Sequence, residues 1–290
     1  MEHVRRVNPF ATRETHNKGS LWAYRIFTIV TWLVNVIATI NYLFNKPHEG
    51  KYARHSIWKQ NKLHPTPFAL NEVITTIYWI VLWIFQVGYL WHLFASNAAY
   101  VSAAANVGSH FIFNNLLSFG FIMLWVRSHF WLAELLLVIN FFNLLALYLR
   151  HSAHPRLIHI PVVSGPLSWT LIAILWDGAV MVHAHNLPAR ILANIFIWTI
   201  LLFGSFFLAV FRDYTVGFEL SILTASLGVS QFLTKVIALQ WIFAFVIMGT
   251  LFVLTLIVSV PGIFGTNAKF GAADNVVSDD RERAPLLEDH

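Results

Sequence analysis

The sequence predicts an all-α membrane protein, a polytopic bundle of about eight transmembrane helices. Hydrophobic residues make up 57% of the chain and charged residues 11%, against about 25% charged residues in an average soluble domain. A soluble fold of this length could not keep so much apolar surface away from water. The apolar runs are continuous and about twenty residues long, which is the length of a membrane-crossing helix, and they lack the alternation of a transmembrane barrel.

Composition also excludes several classes of function. The chain has no cysteine, which excludes disulfides, thiolate catalysis, iron–sulfur clusters and cysteine zinc sites. The net charge of +5 comes from basic residues in the N-terminal segment and the loops, where they favour contact with a lipid bilayer over nucleic acid. We expect no cofactor, and no cleavable signal peptide because residues 1–20 lack an apolar core.

Eight apolar segments divide the chain into a cytosolic N-terminal segment (1–20), a helical bundle (21–264) and a disordered cytosolic tail (265–290). The predicted spans are 21–44, 73–95, 107–126, 130–149, 167–185, 188–211, 214–234 and 236–264. A long polar loop, 45–71, follows the first span. The segment 150–166 is also predicted to be a loop, because three prolines within it should stop a helix.

The seventh span, 214–234, has the most polar composition of the eight. It contains Glu219 and several hydroxyl side chains, but also Gly217, Ala225 and Gly228, the small residues that let a helix pack closely among other helices. We therefore predict a buried span. The alternative is an interfacial helix, which would leave seven spans.

Short motifs in the two tails suggest the orientation and the destination of the protein, since loop charge alone is nearly balanced. Glu282, Leu286 and Leu287 form an acidic dileucine pattern that clathrin adaptors bind in the cytosol, and residues 8–10 form an NPF motif. Such peptides bind as exposed extended segments, which a flexible tail supplies. The sequence thus predicts cytosolic termini, a possible clathrin-adaptor partner, and a vacuolar or endosomal membrane, with the plasma membrane as the alternative.

Asp177 is the most conspicuous polar residue, because it falls near the middle of the predicted fifth span. A carboxylate at that depth costs at least about 2.5 kcal/mol, so it should face the bundle interior, protonated or paired. It could relay protons, bind a cation or contact a substrate; the alternative is a structural hydrogen bond. Glu134 lies closer to a membrane surface and is less informative.

Several asparagines also fall inside predicted spans, among them Asn114, Asn115, Asn140 and Asn143. Asn140 and Asn143 are one helical turn apart and can point together into the bundle. Interhelical hydrogen bonds are the simpler interpretation. A polar lining for a ligand cavity is the functional one, and Trp169 would add an aromatic wall.

The histidines suggest a metal only weakly. They cluster at span ends and in loops, and His151, His154 and His159 have no acidic co-ligand nearby in the sequence. A zinc hydrolase would require Asp177 and three histidines to converge, which spacing alone cannot show. We predict no metal site.

Several motifs together carry a family resemblance: HPTPFALN (64–71), IYW (77–79), SHFIFNNLL (109–117), HIP (159–161), PLSW (166–169) and RDY (212–214). The chain resembles a fungal family of multi-span membrane proteins described only as a domain of unknown function. The order of the motifs is more distantly similar to TspO-like tryptophan-rich sensory proteins, a group associated with porphyrins and sterol-like ligands. The resemblance favours eight spans and assigns no ligand residue.

The sequence leads to a functional hypothesis of a membrane protein that is not an enzyme. It would bind or transport a small lipophilic or aromatic molecule in an intramembrane cavity. The residues expected to line that cavity are Asp177, Asn114, Asn115, Asn140 and Trp169. An intramembrane lipid-modifying hydrolase and a proton-coupled transporter are the alternatives.

Overall fold

A computed structural model describes residues 18–48, 54–150, 156–183 and 187–264 of the chain. The tail motifs, residues 8–10 and Glu282, Leu286 and Leu287, lie outside the described residues. The predicted N-terminal segment and C-terminal tail therefore stay predictions.

The described residues form nine helices and no strand. They are α1 Lys18–Phe44, α2 Ile57–Leu63, α3 Glu72–His92, α4 Ala98–Trp125, α5 Phe130–Arg150, α6 Arg156–Met181, α7 Pro188–Phe211, α8 Tyr214–Thr234 and α9 Gln240–Phe264. Eight of them, all except α2, are long and apolar enough to cross a membrane. The predicted multi-pass helical bundle is confirmed.

Helices α4, α6 and α8 form the centre of the bundle. In an apolar 18-residue stretch of each of these three helices, between 56% and 72% of the residues are buried. The corresponding fraction is at most 33% for the other five spans. The outer spans instead expose large apolar side chains such as Ile37, Trp91 and Leu202, as lipid-facing helices do. Helix α8 packs against α9, α6 and α3, so the interfacial alternative for 214–234 is wrong and the buried span is correct.

The prediction that 150–166 is a loop is wrong over its described part. Helix α6 begins at Arg156 and continues through a π-helical turn, Ile160–Ser164, in which the backbone N–H of Gly165 donates to Ile160 O. The wider turn accommodates Pro161 and Pro166 within the helix. Gln86 Nε2 also donates to the carbonyl of Pro161, which satisfies a backbone group in the interrupted stretch.

This correction changes the depth of Asp177. Because α6 ends at Met181 and not at residue 185, Asp177 lies about one turn from the helix end and not near its middle. With eight spans, the start of α1 and the end of α9 lie on one side of the bundle, the terminal face. The described residues between α1 and α3 lie on the opposite side, the loop face, and Asp177 is near that face.

The loop face is covered by α2, a helix that the sequence pattern did not predict. Gln60 Nε2 in α2 donates to Trp125 O at 3.1 Å and to Ser128 Oγ at 2.7 Å. Asn61 Oδ1 accepts a hydrogen bond of 2.8 Å from the indole of Trp176. These bonds attach the long loop to α4 and α6.

A group of five buried or half-buried indoles, the tryptophan cluster, connects α2 with the helices below it: Trp58, Trp79, Trp125, Trp169 and Trp176. Trp58 stacks on Trp79 and on Trp176, with ring centroids 5.4 and 5.9 Å apart. Trp125 lies 4.2 Å from Trp176, and Trp169 contacts Trp79 edge-on at 4.9 Å. The cluster joins α2, α3, α4 and α6 into one packed unit.

Candidate functional site

Two of the predicted cavity residues, Asn114 and Trp169, do line a cavity in the middle of the bundle. Its other polar walls include Asn35 from α1 and Gln86 from α3. The cavity has a volume of about 50 Å³, which is room for one or two water molecules and not for a lipophilic ligand. Asp177, Asn115 and Asn140 are not among its lining residues.

A row of hydrogen-bonded side chains leads to this cavity between α4 and α5. His110 Nδ1 lies 2.7 Å from Asn143 Oδ1, and Asn143 Nδ2 bonds in turn to Asn140 Oδ1 at 3.4 Å. Asn140 Nδ2 then donates to Asn114 Oδ1 at 2.9 Å. The row fixes the register of α4 on α5 and orients the Asn114 amide at the cavity wall.

Asn115 has a separate partner. Its side chain accepts from Asn35 Nδ2 of α1 at 3.2 Å and donates to Phe111 O within its own helix at 2.8 Å. Asn115 is fully buried. These contacts make it a link between α1 and α4.

A larger space of about 520 Å³, the apolar groove, opens at the loop-face end of α6 and α7. One wall is the α6 face formed by Ile174, Leu175, Gly178, Ala179, Met181 and Val182. The opposite wall is the start of α7, and the loop residues Pro67 and Phe68 close one end. The volume lies within the range of about 300–1,000 Å³ that is typical of ligand sites.

Asp177 meets a second carboxyl group next to this groove. Its side chain is fully buried, and the neighbouring acidic group is the carboxyl of Glu134 in α5. Two carboxylates this close repel each other when both are ionised, which favours a proton on one of the two. Asp177 and Glu134, the carboxyl pair, link α6 to α5 near the loop face.

Glu219, in the second turn of α8, has hydroxyl partners. Its two oxygens accept hydrogen bonds from Ser164 at 3.0 Å and from Ser168 at 3.1 Å. Both serines lie in or just after the π-helical turn of α6. The polar composition of α8 is thereby explained, because its carboxylate faces hydroxyls on a neighbouring helix and not lipid.

At the terminal face, Asp213 organises a third polar cluster. It caps α8 by accepting hydrogen bonds from two backbone N–H groups. It also accepts from Tyr148 Oη and from His159 Nε2, both at 2.8 Å. Burial raises the pKa of Asp213, but the hydrogen bonds and charge of His159, with the hydroxyls of Thr215 and Tyr148, hold that pKa below its ordinary value. Asp213 therefore contributes stability above an ordinary aspartate pKa of about 3.9, and the contribution fades as pH falls through its lower folded pKa.

The structure thus separates residues that the sequence grouped together. Asn114 and Asn140 are hydrogen-bonded and Asn114 shares a cavity with Trp169, whereas Asp177 belongs to the carboxyl pair. Within the described residues no three histidine or acidic side chains come close enough to hold a metal ion. The convergence of Asp177 with three histidines that the hydrolase alternative needs is not found there.

Comparison with protein families gives one match. Residues 190–287 match the model of a fungal protein of unknown function, DUF1774. The resemblance to a fungal membrane-protein family is confirmed over this stretch, which runs from α7 to the dileucine residues of the tail. No curated protein and no solved structure matches the chain, so the similarity to TspO-like proteins gains no support.

Proposed function

We propose that this multi-pass membrane protein binds a small lipophilic molecule in the apolar groove between α6 and α7. The observation that carries the proposal is a ligand-sized, apolar space whose walls come from two spans and a loop. Sites for small molecules are commonly concave and mostly apolar, and they lie between helices of bundles.

Small residues create the groove. Gly178 and Ala179 leave a gap between the larger side chains of the α6 wall, and Ala193 does the same on α7. The larger side chains Leu192 and Phe196 are about half exposed beside it, so a lipophilic molecule could enter sideways from the bilayer. The groove replaces the water-sized cavity at Asn114 and Trp169 as the binding space, because a lipophilic ligand needs the larger volume.

Filling the groove tests this proposal. Ala193→Trp should abolish binding of hexadecanol, measured by native mass spectrometry of the purified full chain in detergent, since the indole would occupy the ligand's space. A diazirine-bearing hexadecanol should label peptides from 174–182 and 188–196 in the wild-type protein. Ile191→Trp is the matched control, because Ile191 is 54% exposed and is not among the groove residues. Equal labelling of the two variants would refute the proposal.

We further propose that the protein resides in the vacuolar or endosomal membrane with cytosolic termini, where Glu282, Leu286 and Leu287 bind a clathrin adaptor. Replacing Leu286 and Leu287 with alanine should move most of a fluorescently tagged protein to the cell surface, because the dileucine pocket of the adaptor would stay empty. Replacing Val276 and Val277 with alanine is the matched control in the same tail. An unchanged distribution of the dileucine variant by microscopy would contradict the assignment.

A further inference from the structure

We propose that the ligand of the apolar groove is a single-chain lipophilic amine, whose protonated head binds the carboxyl pair Asp177 and Glu134. This inference rests on the proposed function and names the class of ligand.

The first observation is that Asp177 has oxygens without a donor. Its side chain is fully buried, and neither carboxyl oxygen has a hydrogen-bond partner in the described part of the chain. Buried polar groups almost always have partners, and a buried acid without one is costly. Glu134 can offer Asp177 at most one proton. Oxygen atoms of both carboxyl groups can therefore still accept hydrogen bonds from a ligand.

The second observation is that Glu134 lies close to Gly178, one of the groove residues. Ile174, Gly178 and Val182 lie on the α6 face that forms one wall. A β-carbon built on Gly178 would lie 3.5 Å from Glu134 Oε1, so the carboxyl is near the space left open by the glycine. Glu134 is itself only half-buried. Neither carboxyl residue lines the groove itself, so the head of the proposed ligand would reach the pair past Gly178.

The third observation concerns charge. The ion pairs within the described residues are Lys62 with Glu72 and His159 with Asp213, so no basic side chain there neutralises the carboxyl pair. A protonated amine supplies a positive charge and three donors, whereas an alcohol supplies one donor and no charge. A fatty acid would bring a further negative charge. Both its charge and its number of hydrogen-bond donors therefore make a protonated amine the best match for the carboxyl pair.

The depth of the pair suits an amphiphile. Asp177 and Glu134 lie near the loop-face ends of α6 and α5, where an ammonium group can stay close to the membrane surface. The apolar walls, from Ile174 on α6 to Phe196 on α7, would hold the chain. The proposed ligand thus places its head at the carboxyl pair and its chain along the groove.

Competition between two probes of equal chain length tests the inference. In native mass spectrometry of the full chain, hexadecylamine should bind about ten-fold more tightly than hexadecanol, which corresponds to one charge-assisted hydrogen bond. Asp177→Asn and Glu134→Gln should each bring hexadecylamine binding down to about the level of hexadecanol. Glu72→Gln is the control, a carboxylate of the loop face that pairs with Lys62 at 2.7 Å and should leave both probes unaffected.

The outcomes separate this inference from the proposed function. If the two probes bind equally, or if both pair variants fold and keep the preference for the amine, the amine assignment is overturned and groove binding stands. If neither probe binds the wild-type protein, the proposed function falls as well. Gel filtration and thermal unfolding identify any variant that misfolds, in which case the wild-type comparison of the two probes decides.

Discussion

Replacing Asp213 with alanine is expected to lower the free energy of unfolding by about 3–5 kcal/mol, as breaking a buried ion pair does. The change removes the cap of α8 and leaves the buried Tyr148 hydroxyl and His159 Nε2 without their acceptor. The polar groups of α5, α6 and α8 meet at this one carboxylate. Thermal unfolding of the purified protein, followed by tryptophan fluorescence, measures the loss.

Two milder variants show which part of the cluster is responsible. Tyr148→Phe removes one hydrogen bond and should cost about 1 kcal/mol. Asp213→Asn keeps an oxygen that can cap α8, so its cost should lie between those of the other two variants. Glu72→Ala is the surface control, because its partner Lys62 is exposed and such pairs contribute about 0–1 kcal/mol. An Asp213→Ala protein as stable as Glu72→Ala would show that the cluster is energetically unimportant.

Gly217→Leu is expected to destabilise the bundle by about 3 kcal/mol or more, at the upper end for overpacking. A β-carbon at Gly217 would overlap Thr255 Oγ1 of α9 and would approach two methyl groups of Leu208 at 3.1 and 3.2 Å. Thr255 is fully buried, so a leucine side chain placed between α8 and α9 should force the two helices apart. The measurement is again the unfolding temperature, together with the fraction of monodisperse protein in gel filtration.

Gly249→Leu provides a control of opposite sign. A β-carbon built there meets no atom within 4 Å, so the substitution replaces a weak helix former by a strong one without a clash. Its expected effect is neutral or up to about 1 kcal/mol stabilising. If the Gly217→Leu and Gly249→Leu proteins were equally stable, the close contact of α8 with α9 would not determine the stability of the bundle.

Much of the fold was predictable because hydropathy and span length carry most of the information in a membrane protein. The bounds of α8 agree with the prediction 214–234, and Gly217 identified its packing face correctly. The error at 150–166 arose from treating proline as a helix terminator. In α6 a π-helical turn and a donor from Gln86 allow the helix to continue, and neither can be deduced from local sequence.

The candidate site was less predictable, because its partners come from distant parts of the chain. Asp177 stands out in the sequence, but nothing in its neighbourhood identifies Glu134 as its contact. The groove was missed for another reason: its apolar residues, such as Leu192, look the same in sequence whether they face lipid or a ligand. Helical periodicity predicted that Asn140 and Asn143 share a face of α5, but it could not identify Asn114 of α4 as the partner of Asn140.

Attachment of α2 to the tryptophan cluster has a consequence for biogenesis. Trp58 and Asn61 are synthesised early, yet their partner Trp176 follows only after three further spans have entered the membrane. Because Trp79 and Trp125, the other partners of α2, enter the membrane earlier, we expect the loop 45–71 to dock in stages and to complete its contacts only late in assembly. Since Pro67 and Phe68 belong to the same loop, the groove gains its end wall at that final step. Stacked indoles give a characteristic near-ultraviolet circular dichroism signal. The appearance of this signal should therefore report the docking of the loop and the formation of the end wall of the groove.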